Sequence, residues 1–323
     1  MVLALTGAGC SGRDGADGPE PGIVGSGDTT PSPDRQAAEL IVEAMQLQSE
    51  GDYQPTFHML TEAIRLDPEN PNGYFFRGNA QRATGHLPEA AGDYTATVDL
   101  DPTFLEAFVQ RAGTREALGD LPGAERDYSV AINLDSDRAD LYLGRAQVRF
   151  ERGAIEQAIA DLDAATALDP AKPDAYNDRG LVHVASGDHS MALDDFTRAI
   201  ELDPENAAAY ANRGTAYQAL QQFQLALDDF EAAIRLDPIS EANYTGRGNA
   251  WRELRRYEDA LEDYGRAIRL DPNSAASFFN RALALAAMGR VGEAIRDLRT
   301  VLRLDPAFDT TELDEALEPE AAN

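Results

Sequence analysis

The sequence predicts an all-α solenoid, a stack of paired helices. Three observations carry that expectation: a triplet recurring at one fixed interval, an apolar stripe at helical spacing within each interval, and stop-and-start chemistry between stripes. Leu-Asp-Pro or a near match ends at Pro68, Pro102, Ser136, Pro170, Pro204, Pro238, Pro272 and Pro306, and every step is 34 residues. Eight units result, 37–70, 71–104, 105–138, 139–172, 173–206, 207–240, 241–274 and 275–308, with no insertion.

Each unit reads as two helices. In 207–240, Tyr210, Gly214 and Tyr217 form the stripe of a first helix, and Phe223, Ala226, Phe230, Ala233, Ile234 and Leu236 that of a second. Between them Gly51, Gly85, Gly119, Gly153, Gly187 and Gly289 share position fifteen, suited to the left-handed residue that ends a helix. Asp52, Asp120 and Asp188 follow as N-cap candidates, and Pro88 and Pro122 enter the next first turn, where a missing N–H does no harm. At the unit's end, proline after Leu-Asp is expected to stop the second helix, because it disfavours helical geometry in the residue before it.

Small residues locate the helix contact. Position eight holds Ala44, Gly78, Ala112, Ala146, Gly180, Gly214, Gly248 or Ala282; position twenty holds alanine in seven units and Thr56 in the first. One such pair cannot bury its own apolar stripe, so the units must stack.

These residues resemble the tetratricopeptide repeat family; in the sixth unit the matching signature is Tyr210, Gly214, Tyr217, Ala226, Phe230, Ala233 and Pro238. The resemblance covers 37–308. It implies a right-handed superhelix of eight helix-turn-helix units whose first helices line a concave groove, and a non-catalytic scaffold for protein interactions. Co-chaperone members grip a terminal carboxylate with lysines, asparagines and arginine. This chain has one lysine, Lys172, in a loop position, and Ile41, Met45 and Glu106 stand at clamp places, so that mode is not expected.

Charge appears on an apolar face. Position seven of the last seven units is Arg77, Arg111, Arg145, Arg179, Arg213, Arg247 or Arg281, and position twenty-three is Asp93, Asp127, Asp161, Asp195, Asp229, Asp263 or Asp297. The family pattern prefers Leu and Tyr there. Unit one lacks both charges, with Glu43 and Met59. Because they come and go together, the two are expected to form partly buried ion pairs, within a unit or between neighbours. A row of ligand-binding arginines is the alternative.

Composition limits the remaining chemistry. Against 28 basic residues stand 57 acidic ones, a net charge of −29, which repels phosphate backbones and anionic lipid headgroups; nucleic acid is not an expected partner. Cys10 is the only cysteine, so neither an internal disulfide nor a cysteine metal site can form. His58, His86, His183 and His189 lack the spacing of a helical metal pair, and no phosphate loop or nucleophile–base set can be assembled. No cofactor and no catalysis are expected. Trp251, at position eleven, reads as core.

A second helical stripe, at positions two, five, nine and twelve, is placed by the resemblance on the concave face. It presents Asn72, Phe75, Asn79, Gln147, Asn177, Asn249 and Phe279, with Asn212 and Asn280 at neighbouring position six. Asn and Gln can bond both donors and acceptors of an extended peptide; the plain alternative is a solvated surface. The expected partner is a peptide or protein, of basic character given the acidity.

The ends differ in composition. Ser11 to Ser32 is rich in Gly, Pro, Asp and Ser, so residues 1–36 read as a flexible tether. Before it, Leu3-Ala4-Leu5-Thr6-Gly7-Ala8-Gly9-Cys10 resembles the end of a bacterial lipoprotein signal peptide, which implies lipidation of Cys10 and membrane attachment at the cell envelope through that anchor alone. It departs from that pattern in its short apolar stretch, its lack of a basic region and Gly7 in place of Leu; a start assigned too far downstream would explain the first two. A cytoplasmic scaffold, or a regulatory subunit of a separate enzyme, is the alternative. In 309–323, Asp309-Thr310-Thr311-Glu312 resembles a capping box before Leu313, Ala316 and Leu317, and 310–317 is expected to form a short helix covering the last unit, followed by an acidic tail.

Overall fold

The computed structural model describes residues 32–317, and among them there are helices and turns but no strand. Two helices form each unit: α1 (Pro33–Ser49) and α2 (Tyr53–Leu66), α3 (Pro71–Ala83) and α4 (Leu87–Leu100), α5 (Leu105–Ala117) and α6 (Leu121–Leu134), α7 (Ala139–Glu151) and α8 (Ile155–Leu168). Then come α9 (Pro173–Ser186) and α10 (His189–Leu202), α11 (Ala207–Ala219) and α12 (Phe223–Leu236), α13 (Glu241–Glu253) and α14 (Tyr257–Leu270), α15 (Ala275–Ala287) and α16 (Val291–Leu304), closed by α17 (Thr311–Leu317).

The turn inside each unit is left-handed at position fifteen. Six glycines take it at φ +71 to +84°, but Gln221 and Arg255 hold the same place at φ 59 and 60° with side chains attached. Of the three aspartates that follow, only Asp120 caps with its side chain, accepting from the Gly123 amide at 3.0 Å; Asp52 and Asp188 occupy the cap position without such a bond.

Between units the stop differs from the proline expectation. All eight second helices end on the leucine of the triplet, and the aspartate after it leaves helical geometry in each, for example Asp135 at φ −146° and ψ 103° and Asp67 at φ −138° and ψ 84°. In the last seven units its carboxylate accepts the amide two residues on, at Thr103, Asp137, Ala171, Glu205, Ile239, Asn273 and Ala307. Ser136 replaces proline in the third unit and the geometry is unchanged, so the aspartate turn is sufficient to end the helix.

Small-to-large complementarity joins the two helices. An added Cβ would lie 2.8 Å from the Tyr94 ring at Gly78, 2.6 Å from Phe196 at Gly180 and 2.7 Å from Tyr264 at Gly248. Units one, four and eight, with Ala44, Ala146 and Ala282, carry Leu60, Leu162 and Leu298 where those rings sit. Tyr94, Phe196 and Tyr264 are fully buried, each contributing about 1.5–3 kcal/mol relative to exposure. Burial of the hydroxyl-bearing ring pushes the Tyr128 phenol up to about 12.

Stacking supplies the rest of the core, as each second helix also packs on the first helix of the next unit. First helices approach one another directly, α1 with α3, α3 with α5, α5 with α7, α9 with α11, α11 with α13 and α13 with α15. No two second helices among the described residues approach comparably. The more closely spaced layer lies inside the curve, so the first helices line the concave side of a right-handed superhelical α-solenoid.

Two ends are treated differently. α1 starts at Pro33, so residues 33–36, expected in the tether, are helical. Proline's fixed φ suits its first turn. Residues 1–31 and 318–323 lie outside the described residues, Cys10 among them. At the other end α17 begins at Thr311; Asp309 accepts from the Thr311 amide at 3.0 Å and hydroxyl at 2.7 Å. Leu313 is fully buried against Ala282, Leu283, Leu285 and Ala294, covering the last unit.

The ring-in-notch fit makes a prediction. Gly180→Ala should destabilise by about 1–3 kcal/mol despite alanine's better helix propensity. Adding Phe196→Leu, which recreates the pairing of units one, four and eight, should recover part of that loss. Urea unfolding of both singles and the double checks it; strictly additive losses would mean that the two positions do not sense each other.

Candidate protein-binding groove

Polar chemistry in the fold concentrates on a ladder of ion pairs. In seven units the position-seven guanidinium meets the aspartate sixteen residues on in the same unit. Nε and Nη2 donate to the two carboxylate oxygens at 2.6–3.0 Å, as in Arg111–Asp127, Arg145–Asp161, Arg213–Asp229 and Arg281–Asp297. Arg77–Asp93 and Arg247–Asp263 share this two-pronged form, and Arg179 reaches Asp195 with both nitrogens. The hydrogen bonds to their aspartates raise the proton affinity of Arg77, Arg179, Arg213 and Arg247.

A third nitrogen reaches across units. Nη1 of Arg77, Arg111, Arg145, Arg179 and Arg213 donates to Thr61, Thr95, Ser129, Asp163 and Thr197, all at position twenty-five of the preceding second helix, at 2.8–3.4 Å. The pairing is therefore within each unit, and the same arginine also bonds to its neighbour. In unit seven Gly265 offers Arg281 no side chain. Every ladder arginine also lies over the aromatic ring three residues earlier, from Tyr74 to Phe278, at 5.4–5.9 Å.

Position eleven adds further partners: Arg115 and Arg149 donate to Asp127 and Asp161, and the His183 Nε2 lies 3.7 Å from Asp195. Neither these partners nor the cross-unit acceptors were foreseen, although the recurrence of Thr, Ser or Asp at position twenty-five is visible in the sequence. With Nε and Nη2 engaged in all seven units, the ladder presents no row of unpaired guanidiniums to an anion.

The second stripe divides in two. Phe75 is packed among Phe76, Tyr94 and Phe104, with ring centroids 5.3, 6.0 and 4.8 Å away, and Phe279 lies 5.1 Å from Phe308; both belong to the core margin. Asn79 and Asn249 accept from the Tyr94 and Tyr264 hydroxyls at 2.8 Å, tying inner face to core. Asn212 donates to Asn177 across units at 2.9 Å, and Asn72 is bonded to Asn70, the cap of α3. Asn280 is half-buried on α15.

Gln147 is exposed and donates to Glu151 at 2.7 Å. It borders a small notch, a cavity of about 50 Å³, between α7 and α9, walled by Leu143, Phe150 and Leu181 over Ala146, Leu162 and Val182, with Asp178 at its edge. Beside it Arg82, Gly113, Glu116, Ala117, Tyr128 and Glu151 line a more open recess. Burial raises the proton affinity of Asp178 and of Glu116, the latter raised further by Glu151. Leu143, Phe150 and Leu181 stand at stripe positions five, twelve and nine, and Asp178 at position six, but the sequence reading drew from these positions mainly Asn and Gln, so the notch they form was missed.

Among the described residues no group of His, Cys, Asp and Glu is placed to hold a metal ion, and no helix is long and apolar enough to cross a membrane.

A stack of helix pairs with first helices along a continuous inner face defines a helical-repeat scaffold for protein–protein interaction. Sequence models described as TPR repeat or tetratricopeptide repeat match residues 58–103, 146–187, 173–206, 207–239, 248–289 and 275–308, and the chain belongs to the tetratricopeptide repeat family. No curated protein matches the sequence.

Solved structures share the fold. One is a chain of the APC/C hetero-tetramer Cut9-Hcn1, at 20% identity and TM-score 0.60 over 86% of this chain. This chain spans 55% of that one's length. The C-terminal part of a TPR repeat-containing protein from Cytophaga hutchinsonii matches at 15% identity and TM-score 0.61, covering 76% of this chain and 100% of its own. A tetratricopeptide repeat protein from Parabacteroides merdae matches at 17% and 0.54, covering 88% and 98%.

The ladder is testable by unfolding. Asp229→Ala leaves the half-buried Arg213 without its own carboxylate and should cost about 3–5 kcal/mol. Replacing both members with the family-preferred residues, Arg213→Leu and Asp229→Tyr, should cost less than Asp229→Ala alone. A loss under about 1 kcal/mol for the single variant would mean a solvated pair.

Proposed function

We propose that this chain is a non-enzymatic scaffold that holds a partner protein or peptide of basic character along its concave face. The observation that carries the reading is the inner face itself, which combines an open apolar notch with carboxylates and leaves the ladder arginines turned to their own aspartates. A net charge of −29 adds a long-range field that draws a cationic segment in and repels nucleic acid.

Affinity capture from native extract tests it. The partner should be retained at low salt and released as ionic strength rises. An Asn72, Asn79 and Asn177 triple alanine should weaken capture, whereas Arg235→Glu, on the exposed face of a second helix, should not. Salt-insensitive capture, or loss only with the outer-face variant, would move the contact elsewhere.

The proposal extends to the cell envelope through the motif around Cys10, in keeping with a lipid-anchored scaffold whose repeats remain in water. Metabolic acyl labelling should mark the wild type and be lost in Cys10→Ser. Labelling of neither protein would favour a cytoplasmic scaffold.

A further inference from the structure

Resting on the groove reading above, we propose that units three to five select a partner segment in which a bulky apolar side chain is flanked by Lys or Arg. The apolar group enters the notch between α7 and α9, and the cations face Asp178, Glu151 and Glu116.

Three observations converge on this place. Outside unit one, Leu181, 39% accessible, is the only exposed large apolar side chain on a first helix among the described residues. With Leu143 and Phe150 it walls a partly open apolar notch that can receive the end of one apolar side chain rather than a flat contact. Filling it removes apolar surface from water on both partners, the term that gives short segments most of their affinity.

Around that notch, carboxylates outnumber cations and stand outside salt bridges, with Arg82 and Lys172 acting on them only at longer range. Glu106, Glu125 and Asp140 on the same units are engaged by Arg138, Arg149 and Arg152, whereas Asp178, Glu151 and Glu116 make no salt bridge among the described residues. Asp178 stands at the notch edge; Glu151, oriented by Gln147, lies where notch and recess meet. Arg82, the cation of the recess, is itself bonded to Gln110 at 2.7 Å. The proton affinity of Glu116 is raised by burial and then by Glu151, against a smaller opposing pull from Arg82, so a ligand cation at these two carboxylates further relieves their mutual repulsion.

An extended segment lying along the groove would turn alternate side chains to its wall. A second chain must provide it: residues 1–31 hold one cation, Arg13, next to Asp14 and with no bulky apolar neighbour.

The probe is a displayed random dodecapeptide library panned against the full chain, followed by synthesis of the leading peptide. Enriched sequences should share an apolar residue flanked by Lys or Arg. Affinity should fall at least about tenfold when that residue is replaced by Ser, and similarly with Leu181→Glu, an exposed site whose folding is checked by circular dichroism. Asp178→Asn with Glu151→Gln should weaken binding and flatten its salt dependence while leaving the apolar preference intact. Enrichment of acidic or purely polar peptides, no enrichment at all, or binding indifferent to Leu181→Glu would overturn the inference. Native partner capture that persists in Leu181→Glu but is lost in the asparagine triple variant would overturn this specificity alone. Capture lost only with the outer-face Arg235→Glu would overturn the groove reading itself.

Discussion

One guanidinium per unit sets the register on which the stack depends. Two of its nitrogens fix the level of the second helix against the first; in units two to six the third bonds to the second helix of the unit before. A planar fork suits this task where an ammonium would not, because its donors point in fixed directions toward different helices. Apolar packing alone is less selective about sliding, since the facing surfaces are largely alanine and glycine with one large ring or leucine per unit. The ladder turns a forgiving interface into one with a preferred alignment. Its cost is desolvation, met by carboxylate, hydroxyl and aromatic face together.

This explains why unit one departs from the rest. Glu43 and Met59 stand where the others have arginine and aspartate, and among the described residues no second helix precedes α1 to accept a third hydrogen bond. Leu60 with Ala44 completes that hairpin by packing alone. The joint absence of both charges was the sequence observation from which their pairing was inferred. The cross-unit acceptors required knowing that position twenty-five of one unit faces position seven of the next, which a pattern within one unit does not contain.

The fold was readable because each unit repeats the same physical decisions. Left-handed glycines, non-helical aspartates and small contact residues recur in register, and eight repetitions suppress accidents. Where sequence reasoning assigned too much was the proline, visible in seven triplets; the eighth, with Ser136, shows that the aspartate turn suffices. The groove was only half readable, for a related reason. Helical spacing placed Asn79 and Asn249 on the inner stripe, but the tyrosine hydroxyls that bind them lie on another helix fifteen residues away.

Positions bound by the repeat cannot also distinguish one partner from another, because they are nearly the same in every unit. Selectivity must come from positions the stack leaves free, and along position nine the chain varies from Asn79 through Gly113, Gln147 and Leu181 to Thr215. The notch arises where that variation places Leu181 opposite Phe150, one unit apart, beside carboxylates no arginine has claimed. The regular ladder and the irregular notch are thus two consequences of one arrangement: buried charges consume the arginines inside the stack, and the acidity they leave unbalanced faces the space where a partner enters.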